Sequence, residues 1–362
     1  MSADTGANEG ASEVRTRFDE AALAHWMADN VAGFAGPLTV EQFKGGQSNP
    51  TYRLTTPDAR YVLRRKPAGA LVKGAHDVLR EARVLCALAP TPVPVPPVLG
   101  VCEDDGVIGT AFYVMTLVDG RIFWDASFAE VPQGERAAYF DAMNATIAAL
   151  HQVDPGAVGL ADYGRPGNFF ARQIARWTRQ YLEDTDAGRD DGMDALIAWL
   201  PDAIPHGDET AIVHGDFRCD NMIFHPTRPE VLAVLDWELS TLGHPLSDFA
   251  YHATMYRMPP DIVAGLGGAD PVALGLPTEA DYVAAYCART GRDGIPHWDF
   301  YIAFNFFRLA AIFHGIKGRA IRGTANSAHA LERAAAYPRL VALAMAAMAT
   351  ARGGGSVDTS GG

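Results

Sequence analysis

One strand-patterned island constrains this chain more than any other feature: AIVHGDFRCDNMIFHP, residues 211–226, followed by EVLAVLDWE, residues 230–238. Its apolar runs NMIF and VLAVL are short, rich in strand formers and bounded by turn residues, which predicts a hairpin. The sequence around it reads as helix, over 133–151, over 168–184 and in three further segments beyond Pro245. The N-terminal part has the opposite character. LTVEQF, NPTYRLTT, ARYVLRRK, VLGVCED and AFYVMTLV read as short strands separated by turn residues. One helix interrupts them, with Val78, Ala82, Leu85 and Ala89 on an apolar stripe and Glu81 at its border. The run APTPVPVPPVLG cannot be helix, because its prolines lack donors and fix extended backbone, so it is a stiff connector. The expected class is α+β, with a small antiparallel sheet over residues 16–118, a hinge near Thr116 to Gly120, and a large helical part over 119–352. Residues 1–15 and 353–362 are small, polar and Gly-rich, and are expected to stay disordered.

A formal charge of −13 argues against a nucleic-acid partner, which requires a basic surface to displace counterions. No leader pattern opens the sequence and no apolar run reads as long enough to span a bilayer, so no membrane partner and a cytoplasmic location are expected. Cys86, Cys102, Cys219 and Cys287 lack the spacing of a zinc site and read as buried free thiols. Oligomeric state leaves no trace in these patterns.

The island carries the polar residues of interest. His214, Asp216 and Asn221 stand in HGDFRCDN, and Asp236 ends the next apolar run. Phosphoryl transfer needs metal ions on the phosphates and a carboxylate to position the incoming hydroxyl. Asp216 suits the second task, while Asn221 and Asp236 supply hard oxygen ligands for Mg²⁺. The step of five residues from Asp216 to Asn221 is the spacing of a kinase catalytic loop, and lets one irregular loop aim both side chains at one cleft. Arg218 either neutralises a transferring phosphoryl group or forms a salt bridge. Arg308, Lys317, Arg319 and Arg322 concentrate positive charge in an acidic chain, either as a solvated face or as a lining that favours an anionic substrate. Trp298, Tyr301, Phe304 and Leu309 read as core.

The stretches VHGDFRCDNMIF and VLDWELSTLGHPLSDFA, with GGQSNPTYRL, YVLRRKPAG, REARVLCAL and LHQVDP, closely resemble the aminoglycoside phosphotransferase and choline kinase superfamily. Within it the resemblance is nearest to the phosphotransferase domains related to acyl-CoA dehydrogenase family members 10 and 11. It runs from about Leu38 to Arg352 and implies a two-lobed, protein-kinase-like fold with ATP and Mg²⁺ as cofactors. By resemblance Asp216 is the catalytic aspartate, Asn221 and Asp236 hold Mg²⁺, His214 braces the loop, and Asp248 is mainly structural. Gly45, Gly46, Ser48 and Asn49 correspond to the nucleotide-covering loop, and backbone groups of Thr116 and Val118 to the adenine-binding edge. Glu81 corresponds to the helix glutamate that pairs with a basic residue on the third strand. There the sequence departs from the family's usual lysine: the position is Arg64, with Lys66 as an alternative. The implied activity is ATP-dependent phosphorylation of a small-molecule hydroxyl, on a hydroxyacyl compound or hydroxyacyl-CoA. An aminoglycoside or amino-alcohol acceptor, or nucleotide binding without turnover, are the alternatives.

Overall fold

In the computed structural model, the described residues are 11–12, 18–43, 49–67, 77–324 and 330–353. Their contacts divide the chain into two compact units, residues 1–123 with 155–160 and 218–240, and residues 124–154 with 161–217 and 241–362.

The first unit opens with helix α1 (Glu20–Asn30), capped by Asp19, whose carboxylate accepts the Ala22 N–H at 2.9 Å. Strands β1 (Thr39–Phe43), β2 (Thr51–Thr55) and β3 (Arg60–Arg65) form the expected meander, helix α2 (Val78–Leu88) follows, and β4 (Val98–Cys102) and β5 (Phe112–Thr116) complete the sheet. It is antiparallel throughout, in the order β1-β2-β3-β5-β4, and Ala11–Ser12 add a two-residue pairing to β1 at its edge. Side-chain alternation then assigns the faces. Tyr52, Leu54, Leu63, Phe112 and Val114 pack in one core with Leu23 and Met27 of α1, a helix absent from the sequence reading. The intervening residues Arg64 and Tyr113 stand with Glu81 of α2.

The same unit holds the predicted hairpin. After the helices α3 (Arg136–Gln152), α4 (Phe169–Glu183) and α5 (Asp191–Trp199) and the short strand β6 (Ala211–Val213), β7 (Met222–Phe224) pairs antiparallel with β8 (Val231–Val234). Gly120 is required beside it: a Cβ there would lie 2.3 Å from the Phe224 carbonyl oxygen, and this closeness permits the Arg121–Phe224 bridge.

The second unit is helical. β9 (Thr241–Gly243) pairs with β6, followed by α6 (Pro245–Ala253), α7 (Glu279–Thr290), α8 (Trp298–Ile321) and α9 (Ala330–Gly353). Among the described residues four helices thus follow Gly243, where three segments were expected beyond Pro245, and α5 and the β6–β9 pair also went unread. Helix α8 buries Tyr301, Phe304 and Leu309 as expected, but Trp298 is only half-buried and donates its indole N–H to Glu279 at 2.8 Å. Against expectation, one helix among the described residues, Ala334–Gly353, is long and apolar enough by length and composition to cross a membrane. Its apolarity comes from alanine, which escapes notice as an apolar run, and Tyr337, Leu340, Val341 and Ala344 are buried, Tyr337 with its ring against His314 of α8 and Val341 beside Gly192 of α5. Of the four free cysteines, Cys86 is exposed rather than buried.

Candidate active site

In the first unit the site is organised by Arg64. Its Nε lies 2.7 Å from Glu81 Oε2 and its Nη2 donates to Asp236 Oδ1 at 2.7 Å, with Glu238 4.0 Å away. One guanidinium therefore ties the third strand, the helix glutamate and the residue after the hairpin together, and the planar fork that distinguishes arginine from lysine makes the double engagement possible. Lys66, beyond the strand's end, is exposed and does not share this position. Glu81 is 2% exposed and also accepts Asn49 Nδ2 at 2.6 Å and the Tyr113 hydroxyl at 3.3 Å. Burial pushes the Glu81 carboxyl up, to about 7, with Arg64 pulling the other way. Burial would lower the Arg64 guanidinium, but Glu81, Tyr113 and Asp236 hold it above its ordinary value.

Asp236 adopts φ 63°, ψ 61°, a left-handed conformation that aspartate tolerates better than most residues. It opens a short turn, Trp237–Leu239, anchored by the buried Trp237, whose indole N–H donates to the Val234 carbonyl at 2.9 Å. Asn221 closes the preceding turn, and its carbonyl accepts the Leu235 N–H at 2.8 Å. With Met222 opposite Val234, this bond holds Asn221 and Asp236 at one end of the hairpin. Among the described residues no group of three or more His, Cys, Asp or Glu could hold a metal alone. The donor set of one carboxylate and one amide fits Mg²⁺, which takes few protein oxygens and completes its shell with phosphates and water. Arg218 pairs with Asp220 at 2.6 Å, in keeping with the salt-bridge reading of this residue. Thr116 donates its N–H to the Pro97 carbonyl at 2.9 Å, so its amide is committed to the sheet. Val118 follows β5 without regular structure, and Gly45, Gly46 and Ser48 lie outside the described residues.

In the second unit the loop after β6 presents Asp216. Gly215 takes φ 84°, which suits glycine, and the two backbone N–H groups before Asp216 converge on Asp248: His214 N at 2.7 Å and Gly215 N at 2.8 Å. Burial opposes ionisation of Asp248, but His151, 3.2 Å away, and the loop amides hold it below the usual carboxylate range. The bracing expected of His214 is thus performed largely by Asp248 through the backbone, while His214 Nδ1 accepts the Asp216 N–H at 3.2 Å. Two partners of the loop were missed or left open by sequence reasoning. The Tyr251 hydroxyl donates to Asp216 Oδ1, and Arg308 Nη2 donates to the Gly215 carbonyl at 2.9 Å while stacking over Tyr251. Tyr251 stands three residues after Asp248 and so shares its helix face, a signal present in SDFAY. Cys219 has no nucleophilic role here, since burial pushes its thiol up to about 12.

Below the loop, His252 Nδ1 lies 3.0 Å from the Phe217 carbonyl and Nε2 lies 2.7 Å from the Tyr282 hydroxyl. A carbonyl can only accept, so Nδ1 carries the proton and the neutral ring is satisfied at both nitrogens. Burial lowers this histidine to about 4, and does the same to His244, whose Nδ1 accepts the Leu246 N–H. The unfolded chain takes up these protons first, so this stability is present above about pH 6.5 and is lost as pH falls toward 4. Between pH 7 and 5 the loss from His252 is expected to be about 2 kcal/mol. Urea unfolding at both pH values tests it: His252→Gln should show a smaller drop than the parent, and an equal drop would contradict the assignment.

These geometries agree with what the chain is similar to. A Ralstonia eutropha crystal structure, assigned provisionally as an aminoglycoside phosphotransferase, is 50% identical, covers 92% of this chain and 99% of its own, and superposes with a TM-score of 0.86. The aminoglycoside phosphotransferase APH(4)-Ia, solved with AMP-PNP and hygromycin B, shares the fold at 15% identity and a TM-score of 0.56, over 90% of this chain and 98% of that one. Acyl-CoA dehydrogenase family member 10 of Mus musculus is 45% identical over 297 residues, 82% of this chain, and the match spans only 28% of that relative's length. The pattern of the phosphotransferase enzyme family matches residues 39–308, most of the chain and both halves of the motif described above, and the chain belongs to that family.

Proposed function

We propose that the chain transfers the γ-phosphoryl group of ATP to the hydroxyl of a hydroxyacyl compound or its CoA thioester. The observation that carries the reading is the Arg64 bridge between Glu81 and Asp236, since a basic strand residue joined to a helix glutamate and to a carboxylate after the hairpin is what nucleotide phosphates require. Asp216 orients the acceptor hydroxyl and takes its proton, and the Tyr251 bond to Oδ1 helps to hold its carboxylate in place for that task. Arg64 steadies the phosphates. Asn221 and Asp236 would hold Mg²⁺, which supplies charge neutralisation at the phosphates. The nucleotide is supported by the AMP-PNP bound to APH(4)-Ia, and acyl chemistry by the acyl-CoA dehydrogenase relative.

ADP release measured against hydroxy acids, hydroxyacyl-CoA thioesters and aminoglycosides tests the proposal. Turnover with the acyl compounds, and a phosphate ester detected by ³¹P NMR, is the expected result. Aminoglycoside-dependent release with silent acyl compounds would replace this acceptor, and nucleotide binding without release from any of them would remove the enzymatic reading.

A further inference from the structure

We infer that the groove between α4 and α8 is the subsite for a phosphate-bearing handle on the acceptor, gripped by Arg176, Arg179, Arg308 and Arg319. The inference rests on the kinase reading above and names the chemistry that its acceptor must carry.

Several arginines of this acidic chain are matched to carboxylates, among them Arg189 to Asp194, Arg257 to Glu279, Arg289 to Asp141, Arg292 to Glu209 and Arg322 to Asp184. Among the described residues, no ion pair to a carboxylate is made by Arg65, Arg136, Arg165, Arg172, Arg176, Arg179, Arg308, Arg319 or Arg352, and five of these nine, Arg172, Arg176, Arg179, Arg308 and Arg319, lie on α4 and α8. The two helices run parallel and in step. Phe170 packs on Phe304 with ring centroids 5.0 Å apart, Gln180 donates to the Ala311 carbonyl at 3.3 Å, and Asp184 pairs with Arg322 at 2.6 Å. That succession sets Arg176 level with Arg308, with Arg179 about one turn further on. Arg319 joins them, because its Nη1 lies 3.6 Å from the point where a Cβ on Gly315 would sit, and Gln180 Nε2 lies 3.2 Å from the same point. A glycine in mid-helix is unfavourable by propensity, and here it keeps the floor low beneath two polar side chains. Arg308 connects the row to the catalytic loop through the Gly215 carbonyl, one residue before Asp216.

Burial, then the charges of Arg308 and Arg179, lowers Arg176, in keeping with cations crowded together. Uncompensated guanidinium groups repel one another and would repel a polycationic acceptor. A single carboxylate needs one fork, whereas a row of forks matches an array of phosphate oxygens.

The test uses the full chain with AMP-PNP filling its nucleotide site, and coenzyme A and inorganic pyrophosphate as calorimetric probes. The parent should bind coenzyme A with an affinity that falls as NaCl is raised. Arg176→Ala combined with Arg179→Ala, and Arg319→Ala alone, should each weaken that binding at least about tenfold. Arg339→Ala removes a guanidinium paired with Asp261 and should leave binding unchanged. The inference is overturned if the parent binds neither probe or if the variants bind as the parent does. AMP-PNP titrated separately reads the other question: its failure to bind sinks the kinase reading, while the coenzyme A result still decides the role of the groove.

Discussion

Asp216→Asn is expected to lower phosphoryl transfer by about 10³-fold while leaving nucleotide affinity unchanged. The substitution preserves shape. An asparagine oxygen can still accept the Tyr251 hydroxyl, and the loop remains held by the two backbone bonds to Asp248 at 2.7 and 2.8 Å. What it removes is the negative oxygen that takes the acceptor's proton, so the loss should fall on kcat more than on KM. Steady-state ADP release, paired with AMP-PNP calorimetry on the same variant, separates the two. Equal loss of both would mean that Asp216 supports the nucleotide rather than the acceptor, and an unchanged kcat would remove it from the chemistry. Tyr251→Phe is the companion measurement, since it keeps the Asp216 carboxyl group and removes the hydroxyl that donates to Oδ1.

How much of this was legible follows from the range of each interaction. The sheet was read well because period-two alternation in TYRLT and RYVLRR is a local signal, and the same alternation puts Arg64 on the face of Tyr113 and Glu81. The motif from Asp216 to Asp236 was visible because its spacing is fixed within one loop and one hairpin. Contacts made across long stretches of chain were not visible. Nothing in the sequence around Arg308 says that its guanidinium reaches the Gly215 carbonyl 93 residues away, and a charged residue on an aromatic helix reads equally as solvated or as lining. Helix α1 was missed for a different reason. Its buried positions Leu23 and Met27 are few, and the helix is held by the sheet core it covers rather than by an apolar stripe of its own. The three-residue strands β6 and β9 carry no period at all, and only their pairing defines them.

Arg64→Ala should have the largest effect on stability, and its dependence on pH distinguishes the mechanism from simple loss of packing. The substitution strands Glu81, which is 2% exposed, with two neutral donors and no counter-charge. Removing one member of a buried ion pair costs about 3–5 kcal/mol, because a charge is left buried and unpaired. A carboxyl already raised to about 7 beside Arg64 moves further up without it. The sign then follows. Where the folded carboxyl titrates above the unfolded one, the native state binds the extra proton, and stability falls as pH rises through the interval. The penalty of Arg64→Ala should therefore be larger at pH 8 than at pH 5, where Glu81 accepts a proton, by up to about 1.4 kcal/mol for a parent carboxyl at about 7. Adding Glu81→Gln should relieve most of it, since a neutral amide can still meet Asn49 and Tyr113. Arg64→Lys should recover only part, because one ammonium cannot reproduce both the 2.7 Å contact to Glu81 and the 2.7 Å contact to Asp236. Urea unfolding of the single and double variants at the two pH values decides the matter. A cost that is the same at both, and untouched by Glu81→Gln, would show that Arg64 acts through packing, and would take from the proposed nucleotide site the charge that organises it.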